Sequence, residues 1–153
     1  MQTKNHGYTF LKLLQLQENE LVRLEPLAGS YAIIQMKGKW LICYNRWRNQ
    51  WELPAGKREV RETPRQCAMR ELYEETGQVV KKLLFVGVAQ SQNIETGKSK
   101  YNPIYYGELE QLMPFTVNEE MSHIHLWDMV GQIDVIDELD FALLQCLSKF
   151  YFK

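Results

Sequence analysis

The stretch GKREVRETPRQCAMRELYEETG, running from Gly56 to Gly77, decides how this chain is read. Its second half carries helix signals at both ends. Thr63 is placed to cap the helix, Pro64 stands at the first helical position, and Gln66 completes a capping box. Gly77 suits the left-handed residue that ends a helix. On a wheel of about 100° per residue, Ala68, Met69 and Leu72 mark the apolar face. Glu71, Glu74 and Glu75 span an arc of roughly 100°, with Glu75 only about 20° from Ala68. Glu75, and to a lesser degree Glu71, is expected at the edge of the buried face, while Glu74 points further outward.

A solvated acidic face is the usual fate of such residues, and it suits Glu74. It suits Glu75 poorly, because a carboxylate at a core boundary loses hydration. Like charges at i,i+3 and i,i+4 cost about 0.2–0.5 kcal/mol per pair. The C-terminal end of a helix also disfavours anions. Arg70, four residues before Glu74, relieves part of this. A bound divalent cation would remove the repulsion, and hard oxygen ligands point to Mg²⁺, with Mn²⁺ as the second choice. Zinc is disfavoured because His6, His123 and His125 lie far from this helix in sequence. His123 and His125 alternate with Ile124 and Leu126 and belong on the polar face of a strand.

Outward from the helix, the pattern is mostly strand. Tyr8–Gln15 and Leu21–Leu24 read as extended, and Tyr31–Met36 and Trp40–Tyr44 as a hairpin around Lys37-Gly38-Lys39. Asn45–Gln50 reads as a loop and Trp51–Leu53 as a short strand stopped by Pro54. Val79–Gln90 and Lys100–Glu108 read as strands joined by a turn at 93–99, and His123–Trp127 as another. Ile136–Phe150 has the spacing of a closing helix. This order predicts a mixed α/β sandwich, one domain over residues 1–153.

The whole chain narrows the function classes. It has 153 residues, 24% of them charged, and a net charge of −1. A protein whose main task is binding a nucleic-acid backbone usually shows a basic face, so nucleic acid is not the expected partner. Cys43, Cys67 and Cys146 form no CxxC pair and sit among apolar residues, as buried reduced thiols do. The N-terminus lacks a signal-peptide run and no stretch has the length of a membrane span, so a cytoplasmic location is expected.

Gly56, Glu62 and Arg70-Glu71-Leu72-Tyr73-Glu74-Glu75-Thr76-Gly77 reproduce the spacing G-x5-E-x7-R-E-U-x-E-E-x-G-U, where U is bulky and aliphatic. The stretch resembles the Nudix box, with all seven fixed residues present and one departure, Gln78 at the final U. Trp51–Lys57 resembles the strand and loop that enter the box. Asn118-Glu119-Glu120-Met121 and Leu126-Trp127 resemble the acidic loop and strand that follow it. The resemblance implies an α/β/α sandwich with a mixed β-sheet and hydrolysis of a nucleoside diphosphate linked to another group. It also implies divalent ions held by Glu71, Glu74, Glu75 and the Gly56 carbonyl. Arg70 would orient a glutamate, Glu62 would be structural, and Glu71 or Glu120 would be the general base.

The attached group is less legible. The ADP-ribose branch usually carries a proline about fifteen residues past the box, and Ala89–Glu95 has none. The diadenosine-polyphosphate tyrosine is also missing before Tyr101. By elimination the expected activity is of MutT type, cleaving a nucleoside triphosphate, such as 8-oxo-dGTP, to monophosphate and pyrophosphate. ADP-ribose or nucleotide-sugar cleavage, a non-catalytic nucleotide sensor, and removal of diphosphate from RNA 5′ ends are the alternatives. Arg46, Arg48 and Lys57 are placed to hold phosphate oxygens. Glu119 or Glu120 could read a base edge, and Trp40, Trp47, Trp51, Tyr105 and Trp127 could stack on a base. A monomer or a homodimer is expected.

Overall fold

A computed structural model describes residues 4–150. Among them, eight strands join into one sheet: β1 (Tyr8–Leu14), β2 (Ser30–Met36), β3 (Lys39–Asn45), β4 (Gln50–Glu52), β5 (Ala55–Gly56), β6 (Leu84–Asn93), β7 (Ser99–Glu108) and β8 (Met121–Trp127). The order β1-β6-β7-β2-β3-β4 carries two further pairings, β5 on β2 and β8 on β3. β2 and β7 run parallel while the other pairs are antiparallel, so the sheet is mixed.

Helix α1 (Pro64–Thr76) and helix α2 (Glu138–Phe150) cover opposite faces of this sheet. The alternation of β2 shows why. Tyr31 and Ile33 pack with Leu143, Leu144 and Leu147 of α2. Ala32 and Ile34 pack with Ala68 and Leu72 of α1. Successive strand residues face opposite ways, so a strand apolar from Tyr31 through Ile34 needs a cover on each side. The expected α/β/α sandwich is the observed one. No helix among the described residues is long and apolar enough to cross a membrane.

Local chemistry sets the boundaries. The Thr63 hydroxyl accepts the Gln66 N–H at 3.1 Å and the Gln66 side chain accepts the Thr63 N–H at 2.9 Å. Such a cap stabilises by about 1 kcal/mol. Gly77 closes α1 at φ 76°, donating its N–H to the Tyr73 carbonyl. Lys37 and Gly38 both have positive φ, 51° and 79°, which is the two-residue hairpin turn between β2 and β3.

Two sequence expectations fail. Leu21–Leu24 is no strand but part of a 3₁₀ helix, Glu18–Leu24, opened by the Glu20 carboxylate accepting the Gln17 N–H at 2.8 Å. The second failure is the start of the strand expected at Val79. β6 begins only at Leu84, because Val80 and Leu83 turn inward while Lys81 and Lys82 stay out, a period of three rather than two. Gln78 anchors that detour. It is fully buried, donates to the Thr76 and Met113 carbonyls, and accepts the Met113 N–H. The departure from an aliphatic residue there is a hydrogen-bonded staple.

Candidate active site

Packing of α1 on β2 and β5 brings the end of the helix over the two-residue strand Ala55–Gly56. Glu75 is buried, 5% exposed, and its Oε1 accepts the Ala55 N–H at 2.9 Å. Burial raises its carboxyl well above the usual range. The Lys4 ammonium opposes this and the Glu71 and Glu120 charges add to it. One turn earlier, the Glu71 carboxyl lies directly over Gly56, so that a Cβ on residue 56 would overlap it. Burial raises Glu71 too, against the pull of Arg70. The helical wheel therefore anticipated the burial of both, and Glu74, with a side chain 54% exposed, stays at the surface.

Arg70 ties the box together. Its guanidinium donates to Glu62 at 2.7 and 3.0 Å, to Glu71 at 2.8 Å, to Glu74 at 3.1 Å and to the Lys57 carbonyl at 2.9 Å. It thus joins the loop before α1 to the helix face, as expected of a residue that orients glutamates. In return it holds the Glu62 carboxyl down to about 2.

Glu120 arrives from the loop before β8. Asn118 shapes this loop: its Oδ1 accepts the Glu120 and Met121 N–H groups, and its Nδ2 donates to the Glu74 carbonyl at 3.3 Å. Glu120, Glu71, Glu75 and Gly56 line one cleft of about 560 Å³, a volume in the range of small-molecule sites. A second groove of about 550 Å³, between residues 79–84 and 106–113, holds none of the box carboxylates.

The remaining expectations divide. Lys57 lines the cleft. Arg48 lines it too, and its guanidinium is engaged by Glu52 at 2.7 Å and Glu120 at 3.4 Å. Arg46 and Glu119 are exposed and outside the cleft lining. Trp40, Tyr105 and Trp127 are core residues and offer no stacking face. Trp51 is half-buried against Tyr44, and Trp47 is exposed at 46%. Cys43 and Cys67 are buried free thiols and Cys146 is half-buried.

Several cleft residues escaped the sequence reading. Lys4, Asn5, Gly29, Lys100 and Asn102 line its far side. Lys4 donates to Asp140 at 2.9 Å and to the Leu53 carbonyl at 2.8 Å, and it feels the Glu52 and Glu75 charges. Tyr31 donates to the same Asp140 at 2.5 Å. These residues come from the chain's start, β2, β7 and α2, and no local spacing links them. A buried Asp140 in the first turn of a helix was the one available hint.

The donors suit a hard divalent cation. Glu71, Glu75 and the Gly56 carbonyl offer hard oxygen atoms, and the Glu71 charge adds to the burial that raises Glu75. Among the described residues no three His, Cys, Asp or Glu side chains form a closed cage.

Sandwich, box and cleft together define a class, and comparison with known proteins specifies it. The model of the NUDIX domain matches residues 25–142. The chain belongs to the Nudix family. A stretch of 84 residues is 37% identical to a Bacillus subtilis (strain 168) protein named "Putative 8-oxo-dGTP diphosphatase YtkD". That stretch is 54% of this chain and 50% of that protein. The crystal structure of the Bacillus subtilis pyrophosphohydrolase BsRppH superposes with a TM-score of 0.67 at 22% identity, covering 95% of this chain and 99% of that one. The NUDIX domain of Shewanella oneidensis NrtR, complexed with ADP ribose, gives 0.65 at 16% identity, covering 88% and 98%. At these identities the two structures speak for the fold.

Proposed function

We propose that the chain is a Mg²⁺-dependent Nudix pyrophosphohydrolase acting on a nucleoside triphosphate, an oxidised purine such as 8-oxo-dGTP among them, to release a monophosphate and pyrophosphate. The observation that carries this is the cleft lined together by Gly56, Lys57, Glu71, Glu75 and Glu120. The named diphosphatase relative supports the choice of a triphosphate. An intact box argues against a non-catalytic sensor.

The residues divide the work as follows. Glu71, Glu75 and the Gly56 carbonyl would hold the cation, with Glu74 reaching in from the exposed side of α1. A divalent ion held there would supply neutralisation of phosphate charge and a lower pKa for its water. Arg70 keeps Glu71 aimed across Gly56. Lys57 draws phosphate oxygens to the rim. Glu120 or Glu71 takes the proton from the attacking water. Of the two, Glu120 fits better, since Glu71 would be taken up by the cation.

The test is a substrate panel with purified protein and Mg²⁺: the dNTPs, 8-oxo-dGTP, ADP-ribose, nucleotide sugars and 5′-triphosphorylated RNA. The highest kcat/KM is expected on a mononucleoside triphosphate. A clear preference for ADP-ribose or for RNA ends would reject the substrate class, and binding without turnover would reject catalysis.

A further inference from the structure

Glu52 is 1% exposed and lies outside the box, yet it collects more hydrogen bonds than any box glutamate. Its Oε2 accepts from Arg48 Nε at 2.7 Å and Gln50 Nε2 at 2.8 Å. Its Oε1 accepts from Arg48 Nη2 at 3.1 Å and Asn45 Nδ2 at 3.3 Å. Gln50 is itself held by Asp137 at 3.2 Å. A buried carboxylate needs such donors to offset lost hydration, but the bracket also reaches outward. The same Arg48 Nη2 and Asn45 Nδ2 donate to Glu120 Oε2, at 3.4 and 3.0 Å. The Glu120 carbonyl is pinned by the Arg46 N–H at 2.9 Å, and Asn118 fixes the Glu120 N–H.

We infer that Arg48 and Asn45, fixed by the buried Glu52, are positioning residues for Glu120. This rests on the pyrophosphohydrolase reading above. The bracket grips one oxygen of Glu120, and Oε1 has no hydrogen bond among the described residues. One oxygen is held and the other is left without a donor, in a residue that lines the same cleft as Glu71 and Glu75. The stronger claim of Glu52 on Arg48 matters. A full bidentate pair with Glu120 would occupy both its oxygens and blunt it as a base; a shared arginine orients it and leaves a lone pair for the proton of water. The sequence expected Arg48 to grip phosphate; in the structure its Nη2 donates to Glu120.

The assay is a kinetic cycle on the triphosphate that the panel selects, with Arg48→Met, Glu120→Gln and the double variant. Partners that orient a reacting group change activity by about 10–100-fold when removed. Arg48→Met should lower kcat by that order with KM within about twofold, as a residue acting through Glu120 rather than on substrate would. In the Glu120→Gln background the same substitution should change kcat less than about threefold, because the group it orients is gone. Multiplicative losses would overturn the inference, and so would a rise in KM with kcat unchanged. If Arg48→Met unfolds the protein by stranding Glu52, the triple variant with Glu52→Gln removes the buried charge, and the same cycle is read there. Wild-type protein inactive on every nucleotide would sink the functional reading itself, whereas active wild type with a multiplicative cycle sinks only the role of Arg48.

Discussion

Replacing Glu75 with glutamine separates stability from function at one buried atom pair. Among the described residues Glu75 has one hydrogen-bond donor, the Ala55 N–H, and a side-chain amide carbonyl can accept that bond equally well. The substitution therefore keeps the contact and removes a desolvated charge. A buried carboxylate with one neutral donor is held at a deficit, so glutamine should stabilise the fold by about 1–2 kcal/mol near pH 8. For a domain of this size that is a Tm increase of roughly 2–8 °C. The pH dependence follows from the raised carboxyl. The folded state keeps the Glu75 proton to higher pH than the unfolded chain does. Its contribution is thus fully present below about 4.5, the unfolded value, and is lost as pH rises through the folded one. The variant's advantage should be largest above neutrality and vanish near pH 4.5. Melts from pH 4.5 to 8.5, with and without Mg²⁺, read all of this. Mg²⁺ should raise the wild-type Tm, leave the variant's unchanged, and support no turnover by the variant. A variant that is less stable at pH 8 and still active would refute both the burial argument and the ligand role.

Gly56→Ala places a methyl against the Glu71 carboxyl, so turnover should fall at least about tenfold with a stability loss of roughly 1–3 kcal/mol, read by kinetics and urea melts together. Gln78→Val, which restores the aliphatic residue of the box, should destabilise by about 1–3 kcal/mol because the Met113 and Thr76 groups lose their partner. For Glu62, the depressed carboxyl contributes stability that is present above about 4.5 and lost as pH falls through about 2. The full shift corresponds to about 3 kcal/mol. Solvent screening reduces that to roughly 1–2 kcal/mol, so Glu62→Gln should cost this much at pH 7 and almost nothing near pH 2 in denaturant titrations.

The central helix was legible because its signals are local: Thr63, Pro64, Gln66 and Gly77 act within a few residues of each other. The buried position of Glu75 followed from helix geometry alone. The strands of the hairpin were legible for the same reason, while Val79–Leu83 was not, because its path is set by Gln78 reaching Met113, 35 residues away. Arg48 shows the limit most clearly. Sequence places it in an exposed basic loop, and only the sheet brings buried Glu52 and distant Glu120 to it. Lys4 is similar: its partner Asp140 is 136 residues away, and nothing in a short window pairs them.

The most direct test of the central claim is ³¹P NMR of the products formed from a nucleoside triphosphate by the Mg²⁺-loaded protein. The account predicts monophosphate and pyrophosphate in equal amounts, and their loss in Glu75→Gln. Release of inorganic phosphate with a nucleoside diphosphate, or unchanged product formation by the variant, would contradict it.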